Sequence, residues 1–130
     1  MHRLTLLLTL ALLAQPAVAL GPLKDVDHVR DGIISVGIAI EIGDKCGSIE
    51  ARYLRGVSFL NGLKDHAAGL GYSDAEIEAY VDDDAEKDRL EAVARQRLAD
   101  LGAVVGDEAS YCAVGQSQIA ADTPVGQLLR

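Results

Sequence analysis

The chain has no tryptophan and a single phenylalanine, Phe59, leaving four tyrosines as its other aromatic rings. A core made from it is therefore mainly aliphatic, and few flat rings remain for stacking sugars or bases. Cysteine is scarce too: only Cys46 and Cys112 occur, with no C-x-x-C spacing of the thioredoxin kind and no close second ligand of the kind zinc needs. Glycine is not scarce, at thirteen residues, yet no G-x-G-x-x-G or P-loop arrangement is present. The chain also lacks internal repeats, low-complexity tracts and long linkers.

Its start reads as an address. MHR supplies a short positive head, Leu4 to Leu13 is an apolar run, and Ala17, Val18 and Ala19 form the small-x-small pattern of a secretory signal peptide. That run is too short to span a bilayer, which takes about 20 apolar residues. Cleavage is expected between Ala19 and Leu20, leaving residues 20–130 as one domain with no membrane anchor, in the periplasm or secreted. With Arg3 removed, eleven basic residues face twenty acidic ones, a net charge of −9. Such a balance repels phosphate backbones and anionic headgroups, so nucleic-acid binding is not expected.

The hydrophobic spacing of the remaining chain is helical. From Ser48 onward, Ile49, Tyr53, Val57, Leu60, Leu63, Ala67 and Leu70 recur at three or four residues, and Gly71 offers a left-handed stop. Ser73 and Glu76 form a capping box that starts the next helix at Asp74, with Ile77, Tyr80 and Val81 inward. Asp83 or Asp84 can start a further helix ending at Gly102, although one bent helix over 74–101 is also compatible with the pattern. Its buried face is Leu90, Val93, Ala94, Leu98 and Leu101, with Glu86, Asp88, Arg89, Glu91 and Arg95 solvated. Asp107 can cap a last main helix holding Tyr111, Cys112, Gly115 and Ile119, and Thr123 with Pro124 restarts a short turn.

Residues 32–43 are ambiguous. Ile34, Val36, Ile38, Ile40 and Ile42 alternate as in a half-buried strand, whereas Val29, Ile33, Val36, Ile40 and Gly43 form a helical stripe. No other segment offers a partner strand, and a lone strand leaves its backbone groups unpaired. The spacing thus predicts a central helix, with strand pairing across a homodimer as the alternative. The fold expected is all-α, a small compact bundle of about five helices stapled by one disulfide. An even cysteine pair in an oxidising compartment favours the Cys46–Cys112 bridge over redox or metal roles.

Catalytic patterns are weak. Asp82, Asp84 and Glu86 occupy alternate positions of an EF-hand loop, but Lys87 stands where its glycine belongs and Val93 where its last glutamate belongs. The Ser117 context GQSQI lacks the second glycine of a nucleophile elbow. His28 and His66 are expected at the surface. The segments CGSIEARYLRG, LGYSDAEIEAYVDDDAEKDRLEAVA and YCAVGQSQIA with GQLLR resemble a family of small exported alphaproteobacterial proteins classed as a domain of unknown function. The resemblance implies a helical exported domain with its two cysteines bridged and implies no activity; the β-branched first segment departs from that family's more usual helical composition.

Function is expected to be binding to an exported partner, without catalysis, metal or cofactor. The acidic run Asp82, Asp83, Asp84 and Glu86 is the candidate interaction face. The alternative is a small periplasmic hydrolase, or a protein holding metal or a small ligand through the acidic helix face. His66, Asp65 and Asp82 to Asp84 are the only concrete candidates for that chemistry. A deep pocket beside a buried, shifted titratable group would favour it.

Overall fold

The computed structural model describes residues 20–130. The signal peptide expected over residues 1–19 lies outside the described residues. Five α-helices account for most of the rest: α1 (Asp27–Lys45), α2 (Tyr53–Gly69), α3 (Asp74–Val81), α4 (Asp84–Asp100) and α5 (Glu108–Ala120), with short 3-10 turns at Leu23–Asp25 and Gly126–Leu128. No strand is present among the described residues.

The ambiguous segment is helical because α1 is the centre of the bundle. Ile34, Ile38 and Ile42 make one stripe of full burial, while Ile33, Val36 and Ile40 point around the helix toward a second neighbour. The helices α2, α4 and α5 all pack on α1. A helix covered on several sides has apolar residues around most of its circumference, and in this sequence they fall on alternate positions.

Local chemistry sets several boundaries where the sequence places them. Ser73 Oγ accepts from the Glu76 N–H at 3.1 Å while the Ser73 N–H donates to Glu76 Oε2 at 2.7 Å, the reciprocal capping box. Asp83 is extended and its Oδ1 accepts from the Glu86 N–H at 3.1 Å, so residues 74–101 form two helices and not one bent helix. Gly71 and Gly102 both have positive φ, at 105° and 113°, and end α2 and α4 with the next N–H turned back onto Ala67 and Leu98. Thr123 Oγ1 accepts from the Gly126 N–H at 3.0 Å, capping the last turn. Asp107 precedes α5, but its side chain makes no cap bond; Ser110 Oγ accepts from the Val104 N–H and closes the loop instead.

The largest departure is the start of α2, which lies at Tyr53 and not Ser48. Residues 50–52 are held extended by the C-terminus. The Glu50 N–H donates to the Arg130 carbonyl at 2.8 Å, the Arg130 N–H donates back at 3.0 Å, and the Arg52 N–H donates to the Leu128 carbonyl at 2.7 Å. Ile49 is therefore buried from a loop, while Tyr53 turns out to solvent at 79% exposure. Leu70, Val81 and Leu101, expected inward, are also substantially exposed, because they sit in or beside the last turn of their helices where the apolar stripe has rotated off the core.

Cys46 and Cys112 lie at disulfide distance, with their Cα atoms 5.2 Å apart, joining the end of α1 to α5. Cys46 is fully buried. A larger core of Ile34, Ile38, Ile42, Leu90, Leu98 and Val114 surrounds this junction, and a smaller cluster of Leu23, Val29, Ala67, Tyr72 and Ile77 closes the opposite end.

Candidate functional site: an apolar cleft between α2 and α4

Both α2 and α4 pack on α1 yet scarcely touch one another. The gap between them is a cleft of about 420 Å³, floored by Ile33, Val36 and Ile40 of α1. Val57, Leu60 and Leu63 of α2 form one wall and Leu90 of α4 stands in the other, with Ile77 and Tyr80 contributed by α3. Its size falls in the range of small-ligand sites, about 300–1,000 Å³. A smaller recess of about 100 Å³ adjoins it and shares Val36, Ile40, Val57 and Leu60, so the apolar surface continues along α2 toward Tyr53. Ile40, Val57 and Val81 keep 50%, 42% and 50% of their surface exposed, an unusual concentration of uncovered aliphatic side chains around one concavity.

Polar groups are few in the lining and sit on three helices: Asn61 and Lys64 on α2, Tyr80 on α3, and Glu86, Lys87 and Glu91 on α4. Glu86 corrects the sequence reading, since it is only 8% exposed and not part of a solvated face. Its burial is tolerated because Arg89, one turn on, donates twice to it, at 2.9 and 2.6 Å. The Arg89 hydrogen bonds hold the Glu86 carboxyl below its ordinary range, with burial opposing them. The same pairing raises the Arg89 guanidinium. The Tyr80 hydroxyl is buried and makes no hydrogen bond among the described residues. Burial raises it above the usual tyrosine value, reinforced by the negative charge of Glu86. Glu86 is thus held ionised and Tyr80 held protonated, each pushed away from the neutral range where a general acid or base would be poised.

The remaining acidic candidates have structural positions. Asp82 ends α3, Asp83 caps α4 and Asp84 lies in its first turn; all three are exposed and none lines the cleft. His28 and His66 are exposed, as expected, and their rings meet at 4.4 Å, bringing the first turn of α1 against the last turn of α2. Among the described residues no group of three or more His, Cys, Asp or Glu side chains could hold a metal ion, and no helix is long and apolar enough to cross a membrane. The sequence pattern does not mark Lys64, Glu86 or Lys87 as cleft residues, nor the Arg89 that pairs with Glu86 from outside the lining. The i,i+3 spacing of Glu86 and Arg89 was the one available signal.

The molecule is thus a small all-α domain with a bridged cysteine pair and an open apolar cleft. It belongs to a family of unknown function, DUF5333, whose pattern matches residues 21–130. No curated protein and no solved structure matches the chain.

Proposed function

We propose that the chain is an exported binding module without catalysis of its own, and that the cleft between α2 and α4 is its binding site. The observation that carries this reading is the concentration of partly exposed Ile40, Val57, Leu60 and Val81 around a concavity of about 420 Å³, on a surface that is otherwise strongly charged. The pairing of Cys46 with Cys112 supports an oxidising compartment. Against the hydrolase alternative, Glu86 is shifted down and Tyr80 up, each away from neutrality, and His66, Asp65 and Asp82 to Asp84 stand outside the cleft. Asp82 and Asp84, exposed at the α3–α4 junction, are the part of the acidic run that remains free to meet a partner.

The test is the binding of an apolar fluorescent dye to the oxidised protein and to a Val57→Arg variant. Val57 is partly exposed, so arginine there is tolerated by the fold while placing a charge in the cleft. One saturable site, lost in V57R with unchanged circular dichroism, supports the reading. Equal binding by both proteins, or no binding by either, contradicts it.

A further inference from the structure

Residues 20–130 contain only two histidines, His28 and His66, and although α1 and α2 each carry just one of them, the two rings meet. Their centres are 4.4 Å apart and their planes are tilted by 57°, so they are not stacked face to face. Both side chains are exposed, and the contact lies outside the core. The backbone beneath them is fixed all the same. The next residues along, Val29 and Ala67, are buried in one apolar cluster with Leu23, Tyr72 and Ile77. Two imidazoles are thus presented side by side, from the first turn of α1 and the last turn of α2, on a support that is already packed. Neither histidine lines the cleft.

Imidazole nitrogen suits Zn2+, Cu2+ and Ni2+, whereas Ca2+ and Mg2+ prefer the carboxylate oxygens that this acidic chain carries in number. A cation lying on the line from each ring centre through one nitrogen, at about 2.0–2.1 Å from that nitrogen, holds the two ring centres roughly 4.5–5 Å apart. The observed 4.4 Å reaches that spacing by a small outward turn of two exposed side chains. We propose that His28 and His66 form a two-histidine site for a divalent cation of the zinc and copper class, with water in its remaining positions. Among the described residues no third His, Cys, Asp or Glu completes a closed site, and Cys46 and Cys112 are paired with each other. The ion is therefore exchangeable and open to an outside ligand, unlike a structural zinc with four protein ligands. The negative charge of the molecule draws divalent cations toward it, and the two ring nitrogens select which of them is kept. A bound ion joins the start of α1 to the end of α2, at the far end of α1 from the Cys46–Cys112 bridge.

The experiment is calorimetric titration of the untagged, oxidised protein with zinc chloride, and with calcium chloride for comparison, at neutral pH. It is repeated on His28→Gln, His66→Gln and the double variant, all altered at exposed positions, with circular dichroism as the check on folding. Zn2+ is expected to bind at one site. Each single substitution is expected to weaken it by about ten-fold or more, and the double variant no further, because a chelate is lost when either ring goes. Zn2+ is also expected to raise the Tm of the native protein and of none of the variants. Long-range proton–nitrogen spectra of the native protein, which need no variant, should show one nitrogen of each histidine ring shifting together and saturating with the heat. Zn2+ binding that survives both substitutions belongs to surface carboxylates, and binding lost in only one of them has a single histidine ligand; either result, or no Zn2+ binding, overturns the site. Ca2+ binding that disappears with the histidines overturns the choice of cation.

Discussion

Reducing the Cys46–Cys112 bridge is expected to remove a large part of the protein's stability. The two residues are 66 apart in sequence, and closing a loop of that length in the unfolded chain corresponds to about 4 kcal/mol at 25 °C in the chain-entropy description. Small domains have a net stability of about 5–15 kcal/mol, so the bridge accounts for a large share of it. Guanidinium unfolding, followed by far-UV circular dichroism, should be compared for the oxidised protein, the reduced protein and the C46A/C112A variant. The reduced chain keeps both sulfurs packed, including the fully buried Cys46, so the oxidised–reduced difference isolates the cross-link while the alanine variant adds a packing loss. Expected are a loss near 4 kcal/mol on reduction, a fall in Tm of roughly 15 °C, and a steeper denaturant dependence as the open chain exposes more surface on unfolding. A reduced protein within about 1 kcal/mol of the oxidised one would refute the entropic argument. Two titratable thiols in the oxidised, denatured protein would show that the bridge does not form.

Other substitutions probe the packing and the caps. A Cβ on Gly62, in the middle of α2, meets nothing within 4 Å, so Gly62→Ala should stabilise by about 0.5–1 kcal/mol through helix propensity. At Gly126 the same atom would overlap the Gln118 carbonyl, which is backbone of α5 and cannot move aside; Gly126→Ala should cost more than about 3 kcal/mol, and equal Tm values for the two variants would contradict the close approach of the C-terminal turn to α5. Ser73→Ala should lose about 1 kcal/mol from the capping box, and an unchanged unfolding midpoint would remove that bond from the account. The Glu86 carboxyl has a folded pKa below its ordinary value, so its contribution is present above the ordinary glutamate range and is lost as pH falls through the lower, folded value. The Tm of Glu86→Gln should therefore fall less on acidification over that window than the Tm of the native protein, and parallel curves would disprove the pairing.

The features legible in the sequence are those decided by neighbours in the chain. The Ser73–Glu76 box, the glycine stops at 71 and 102 and the Thr123 cap depend on groups within about five residues, and each stands where the spacing puts it. The start of α2 was not legible, because residues 50–52 are held by Leu128 and Arg130, about 80 positions away, and that pairing overrides an otherwise continuous apolar stripe. Glu86 was misread because charge usually means exposure, whereas Arg89 a turn later removes most of the cost of covering it. The cleft had no sequence signature at all. Val57, Leu60 and Ile40 have the spacing of ordinary core residues, and they line a gap only because α2 and α4 lean on α1 without closing on each other.

Amide chemical-shift mapping distinguishes a binding site in this gap from an idle recess. On titration of the isotope-labelled oxidised protein with the uncharged probe decanol, saturable shifts are expected only at residues around Ile40, Val57, Leu60, Tyr80 and Leu90, with α5 and the Val104–Val105 loop unmoved. Shifts centred on α5 or on that loop, or none at concentrations that saturate ordinary apolar sites, would contradict it.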